Sequence, residues 1–231
     1  MSPWAGRRLL RALIPKPLAL RLRREWLARR MVQGRAHIER EVELLPQIVS
    51  RDAVCWDIGA NVGMYTLALA KLAARVIAFE PIPHSLETLQ EVIRLAGVAN
   101  VETHRLAISD TAGTARMHVP AEGFYGGFYL ATLDDQGEVS VRTESVDGLI
   151  ASGYPEPVFI KCDVEGAERR VINGARELIA RRHPTWLLET FEPDVIRLME
   201  SLGYAAHVRG PANTLQRVSE LRESDRNYIF L

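Results

Sequence analysis

A chain of 231 residues with 47% apolar and 25% charged side chains has the make-up of an ordinary globular protein, long enough to bury a substantial core as one large domain or two small ones. That composition excludes a wholly disordered, collagen-like or membrane-embedded chain, and two cysteines, Cys55 and Cys162, are too few for a disulfide framework, which favours a cytoplasmic setting. The formal net charge of zero hides an asymmetry: residues 1–40 hold eleven Lys/Arg against Glu25 and Glu39, a net +9, so the other 191 residues carry −9.

No apolar run approaches the ~18 residues of a membrane span, and arginines with Pro15 and Pro17 interrupt any secretory-type stretch near the N-terminus. Residues 4–14 and 18–31 read as two short amphipathic helices separated by those prolines, with Leu10, Leu13, Ile14, Leu18, Leu22 and Trp26 interleaved with arginine. A third helix is expected over 35–45, with Ile38, Val42 and Leu45 on one face. Residues 1–50 thus form a basic helical extension. It could meet anionic lipid as a peripheral contact at the inner membrane surface, lie as a lid over a binding site, or simply cap the main domain, 51–231.

From residue 53 short apolar runs alternate with helical segments, the pattern of an α/β fold in which helices wrap a parallel sheet. Strands are expected over 54–57, 75–80, 101–108, 158–163 and 185–189. Helices are expected over 63–73 and 84–96, from Gly166 to just before Pro184, and from Pro193 to Gly203. Segments 204–208 and 227–231 can close the sheet as an antiparallel hairpin. Between the third and fourth strands, residues 110–150 hold a glycine–aromatic loop (EGFYGGFYL, 122–130) and a strand over 139–146, too irregular for a simple crossover and suited to shaping a substrate.

The first strand runs into Asp57-Ile-Gly59-Ala-Asn61-Val-Gly63 and straight into a helix. Glycine there lets backbone approach a ligand closely, and the helix start supplies amide donors with partial positive charge. The second strand ends at Glu80-Pro81, 23 residues after Asp57, where a carboxylate can accept both hydroxyls of a ribose. Together these features point to a nucleoside-containing ligand. Dinucleotide enzymes share the acidic residue but want G-x-G-x-x-G, whereas this chain has D-x-G-x-x-x-G.

That turn resembles motif I of the class I S-adenosylmethionine-dependent methyltransferases. Residues 57–63, Phe79-Glu80-Pro81, Ala107-Ile-Ser-Asp110, Ser145-Val-Asp147 and Ile160-Lys-Cys-Asp-Val-Glu-Gly-Ala-Glu168 further resemble the FkbM-family methyltransferases over about 53–190. The resemblance implies a seven-stranded Rossmann-like sheet in the order 3-2-1-4-5-7-6. It also implies S-adenosylmethionine as methyl donor, with S-adenosylhomocysteine as product, and acceptors that are hydroxyls of sugars, glycolipids or secondary metabolites. Residues 1–50 fall outside it.

On that reading Asp57 orients the turn and holds the methionine ammonium, Asn61 and the Gly59 and Gly63 backbone line the same wall, and Glu80 holds the ribose. Ile108, Ser109 and Asp110 flank adenine. Asp163 and Glu165, at the end of the fourth strand, are the candidate bases for an acceptor hydroxyl, while Glu168 has entered the helix and caps it. Lys161 shares a strand face with Asp163, either as a structural ion pair or as part of the site. No metal is expected: the six histidines show no ligand spacing, and Asp163, Glu165 and Glu189 are too scattered. His84 could border adenine or serve only the helix entry. Cys55 and Cys162 read as small buried apolar residues. Nucleic acid is not the expected partner, because the fourth strand ends in Asp-Val-Glu-Gly, not an Asn/Asp-Pro-Pro-aromatic sequence, and the body is acidic. A small-molecule N-methyltransferase, or a membrane-surface adaptor built on a degenerate methyltransferase domain, remain the alternatives.

Overall fold

The computed structural model describes residues 16–36, 38–119, 132–133, 137–218 and 225–231. The helix expected over 4–14, His37 and the glycine–aromatic loop lie outside them. The first described helix, α1 (Lys16–Val32), opens with Pro17 in its first turn, where a missing N–H costs nothing. Its second half packs on α4 (Pro83–Ala96), burying Leu27, Ala28 and Met31 against Val62, Leu67 and Val92. In place of the helix expected over 35–45 stand a 3-10 turn, Arg40–Leu44, and a short α2 (Leu45–Ile48). Leu44, Leu45 and Val49 join Cys55, Tyr65 and Val76 in one apolar cluster, so this part of the basic extension shares the core of the main domain.

The main sheet contains β1 (Val54–Ile58), β2 (Arg75–Phe79), β3 (Val101–His104), β8 (Phe159–Cys162) and β9 (Thr185–Glu189), all parallel, and β10 (Ala206–Arg209), β11 (Leu215–Arg217) and β12 (Asn227–Phe230) beyond them. Their order is β11-β10-β12-β9-β8-β1-β2-β3, with β12 reversed against β9. The sheet therefore has eight strands where the family resemblance implied seven; β11 is the addition, an edge strand antiparallel to β10.

Strand alternation sorts the core into two layers. Trp56, Ile58, Ile160, Cys162, Trp186 and Leu188 face one side with the helices α5 (Val146–Ala151), α6 (Glu168–Asn173) and α8 (Pro193–Ser201). Cys55, Phe159 and Leu187 face the other, under α3 (Met64–Ala70) and residues 44–49. Both cysteines are fully buried and apolar in role. Each large apolar side chain buried this way contributes roughly 1.5–3 kcal/mol.

Two further expectations fail where distant segments meet. The third strand does not run through residue 108. It stops at His104, and β4 (Ala107–Ser109) leaves to pair with β7 (Val139–Ser145) in a separate sheet of order β4-β7-β5-β6, with β5 spanning Gly113–His118 and β6 Thr132–Leu133. Leu106 makes the break, its N–H bonded back to the His104 carbonyl and its side chain buried. The single helix expected after Gly166 is two, α6 and α7 (Arg176–Arg182), because at Gly174 the chain presses against β4: a Cβ there would stand 2.2 Å from the Ser109 carbonyl oxygen.

Candidate active site

Where β1 ends, the chain turns on Gly59 at φ +79° and Asn61 at φ +49°, and α3 starts after Gly63 at φ +96°. The Gly59 and Ala60 N–H groups both donate to the Phe79 carbonyl at 3.0 Å, tying the turn to the end of β2. A Cβ on Gly59 would lie 1.8 Å from the Asp163 carbonyl oxygen, so only glycine lets the β1 turn and the loop after β8 close on each other. Gly63 is needed for a different contact, since its Cβ would stand 2.4 Å from Leu89 of α4.

Glu80, just past β2, is buried, with Oε2 accepting from the Asn61 N–H and Oε1 from the Ile82 N–H, both at 2.8 Å. It thereby joins the two turns. Burial pushes its carboxyl up to about 7, and these two amides offset only part of that. Gly59, Asn61, Glu80, Ile82, Leu106, Ile108, Met117, Asp163 and Glu165 are among the residues around a cleft of about 600 Å³. Its lining combines the polar Asn61, Glu80, Asp163 and Glu165 with the apolar Ile82, Leu106, Ile108 and Met117. Asp163 and Glu165 also border a second cleft of about 560 Å³, shared with Glu168, Glu189, Phe191 and Glu192.

The eight expected cofactor residues divide here. Gly59, Asn61, Glu80 and Ile108 line the first cleft; Asp57, Gly63, Ser109 and Asp110 do not. Asp57 stands behind the turn, 2% exposed, accepting from the Thr66 hydroxyl of α3. Burial raises it to about 6 against the opposing pull of Thr66 and Lys161. The Ser109 hydroxyl donates to exposed Asp110 at 3.0 Å. His84 sits in the first turn of α4, where partial burial lowers its pKa.

Glu165, at φ +51°, is raised by burial and then by Asp163 and Glu168. Glu168 accepts from the Val164 and Gly166 N–H groups at 3.2 and 3.1 Å, so its carboxylate braces the loop ahead of α6 where a cap on the helix's first turn was expected. Lys161 is 1% exposed, with Nζ 3.6 Å from Asp163 and 3.8 Å from Glu189. Its burial, the largest influence, works against the charge, yet Asp163, Glu189, Glu39 and Asp57 together hold its pKa above the ordinary value. Glu189 is raised to about 8 by burial and then by Asp163. Among the described residues no group of three His, Cys, Asp or Glu is placed to hold a metal ion.

Sequence reasoning missed Ile82, Leu106 and Met117 of the first cleft, and Phe191 and Glu192 of the second. Ile82 was within reach, being two residues past Glu80; Met117 was not, since it arrives from the second sheet.

The chain matches the Methyltransferase FkbM domain over residues 57–206. It is 31% identical over 134 residues to a hexuronic acid methyltransferase, AglP, of Haloferax volcanii, covering 58% of this chain and 54% of that one. It is 25% identical over 188 residues to the methyltransferase sdnD of Sordaria araneosa, covering 64% and 72%. Its fold is similar to that of methyltransferase FkbM from Methylobacillus flagellatus, with a TM-score of 0.55 and 20% identity over 79% of this chain and 44% of that one. The chain thus spans about half the length of AglP and less than half of the Methylobacillus protein.

Proposed function

Because this chain belongs to the FkbM methyltransferase family, we propose that it is an S-adenosylmethionine-dependent O-methyltransferase acting on a hydroxyl of a carbohydrate, glycolipid or secondary metabolite. One observation carries the reading: two clefts, one bordered by the glycine turn and Glu80 and one acidic, meet at the same pair of carboxylates, Asp163 and Glu165.

The first cleft fits the cofactor. Gly59 lies against the Asp163 carbonyl and so draws together the two loops that border the cleft, Glu80 keeps lone pairs for a ribose beyond its two amide bonds, and Ile82, Leu106, Ile108 and Met117 supply an apolar wall for adenine. Asp57 acts from behind, holding α3 through Thr66. Ser109 and Asp110 follow directly on Ile108, toward the adenine end. When bound, S-adenosylmethionine supplies a methyl group already activated by its sulfonium.

The chain's own contribution is then alignment, where effective molarities reach about 10⁵–10⁸ M, and removal of the acceptor proton, worth about 10²–10⁴-fold. The second role falls, on this proposal, to Asp163 and Glu165, which border both clefts. The AglP match brings uronic acids into the acceptor class. N-methylation is the second reading, favoured by Asp163, Glu165 and Glu192 around the second cleft, whose acidity suits an amine.

Calorimetry with S-adenosylmethionine and S-adenosylhomocysteine tests the cofactor; absence of binding by both refutes the proposal. A mass-spectrometric screen of sugars, uronates, lipid-linked glycans and amines, read as products heavier by one methylene, separates O- from N-methylation. No helix among the described residues is long and apolar enough to cross a membrane. A peripheral contact is proposed on exposed Leu18, Leu20, Leu22 and Trp26, which stand among Arg21, Arg23 and Arg29 of α1. Co-sedimentation with anionic vesicles tests it: Leu22→Ser with Trp26→Ser should release the protein, and unchanged partition refutes the contact.

A further inference from the structure

The residues before the matched domain contribute a side chain to the polar network beneath Asp163 and Glu189. Alternation along β8 turns Lys161 to the sheet face that carries Asp57, the face covered by α3 and by residues 44–49. Lys161 Nζ there has no hydrogen-bond partner among the described residues, and it lies 4.8 Å from the centroid of the Tyr65 ring. The Tyr65 hydroxyl donates to Glu39 Oε2 at 2.7 Å. Asn227 Nδ2, on the strand residue paired with Glu189, donates to the same oxygen at 3.2 Å. A buried ammonium without hydrogen bonds is held by the surrounding charges and the aromatic face, so its position follows theirs.

Building on the methyltransferase reading above, we infer that Glu39, outside the matched residues 57–206, is a positioning residue that acts through Tyr65 to keep Lys161 seated against Asp163 and Glu189, and so sets how those two carboxyls divide their charge at the second cleft. The groups facing Glu189 are Asp163 and Lys161 from β8 and its loop, Glu39 from the N-terminal segment and Tyr65 from α3. Four carboxyl groups, Asp163, Glu189, Glu39 and Asp57, thus act on one ammonium, and the excess negative charge is relieved by a proton. Glu189, raised to about 8 by burial and by the Asp163 carboxyl beside it, keeps that proton near neutral pH.

The test uses the full-length protein with carbon-13 in its glutamate carboxyls, the Glu189 resonance assigned by its loss in Glu189→Gln, and a pH titration followed by NMR. S-adenosylhomocysteine binding is measured alongside. The wild-type midpoint is expected near 8. Glu39→Gln, which keeps the side-chain shape and removes the charge, should lower it by roughly one pH unit, and Glu39→Asp should restore most of the difference. Cofactor-product affinity should stay within about twofold in both variants, because Glu39 does not line the first cleft. An unmoved midpoint in folded Glu39→Gln overturns the inference, as does a wild-type midpoint in the ordinary carboxylate range. If Glu39→Gln does not fold, Tyr65→Phe takes its place: with the hydroxyl gone the hold that passes from Glu39 through the ring to Lys161 is lost, the ammonium weighs less on Glu189, the midpoint must rise, and constancy is the refuting result. Wild-type protein that binds no S-adenosylhomocysteine overturns the methyltransferase reading instead, so the two failures are told apart.

Discussion

Replacing Gly59 by alanine tests the geometry on which the whole site depends. The added Cβ would stand 1.8 Å from the Asp163 carbonyl oxygen and 2.8 Å from its carbon, in a backbone at φ +79°. The left-handed conformation alone costs about 1–2 kcal/mol with a side chain. The collision is the larger effect, because carbon and oxygen settle at about 3.3–3.6 Å, so the loop after β8 must retreat by roughly 1.5 Å. Retreat strains the bond from the Asp163 N–H to the Ile58 carbonyl, now 3.0 Å, worth about 0.5–1.5 kcal/mol, and overpacking adds about 1–3 kcal/mol. The total is about 3–6 kcal/mol, which for a chain of this size lowers the melting temperature by roughly 6–20 °C. Gly97→Ala is the control: it has φ +66° with no atom within 4 Å of the added Cβ, so it carries the conformational cost without the collision. Differential scanning fluorimetry on both, with S-adenosylhomocysteine calorimetry, reads the difference. If Gly59→Ala melts no lower than Gly97→Ala and binds as the wild type does, the two loops do not meet as described.

Glu80→Ala should weaken S-adenosylhomocysteine binding by about 10- to 150-fold, the loss of one charge-assisted hydrogen bond of roughly 1.5–3 kcal/mol; unchanged affinity in a folded variant removes Glu80 from the site. Asp163→Asn and Glu165→Gln, assayed with an acceptor from the methylation screen, should separate the base, whose loss lowers kcat by about 10²–10⁴-fold, from a residue that only positions; full turnover in both refutes a carboxylate base here. Glu80 also predicts a pH dependence. Its carboxyl is raised from 4.5 to about 7 in the fold, so between those values the folded state holds a proton that the unfolded state has lost, and stability falls as pH rises through the window, by up to about 1.4 kcal/mol per pH unit. Denaturant unfolding from pH 4.5 to 7 should therefore show a steeper decline for the wild type than for Glu80→Gln, and parallel curves refute the assignment.

The features legible in the sequence are those written by neighbours along the chain. The five parallel strands, the glycine turn at Gly59 and the acidic residue after β2 follow from period-2 apolar runs and from a carboxylate at a strand end. Membership of the methyltransferase family was likewise readable from the segment 160–168 and is shown by the match over residues 57–206. Less visible was anything that depends on one segment approaching another. The break at Leu106 arises because β4 pairs with a strand more than thirty residues later, and the split of the helix at Gly174 arises because β4 lies beneath it. Neither is a local preference, and propensity cannot report it.

The same division runs through the site. Composition and spacing alone determined that this chain builds an α/β sheet with a glycine turn and an acidic residue at the ends of its first two strands, because hydrogen-bonded strands and glycine turns are specified within a few residues. Only the tertiary structure decided which side chains meet there. It set Asp57 behind the turn and brought Met117 from a second sheet to the apolar wall. It also carried Glu39 from the basic extension to Tyr65, next to Lys161. The physical reason is that charge and packing act through space: a buried ammonium responds to every carboxylate within several ångströms, whatever their separation in sequence.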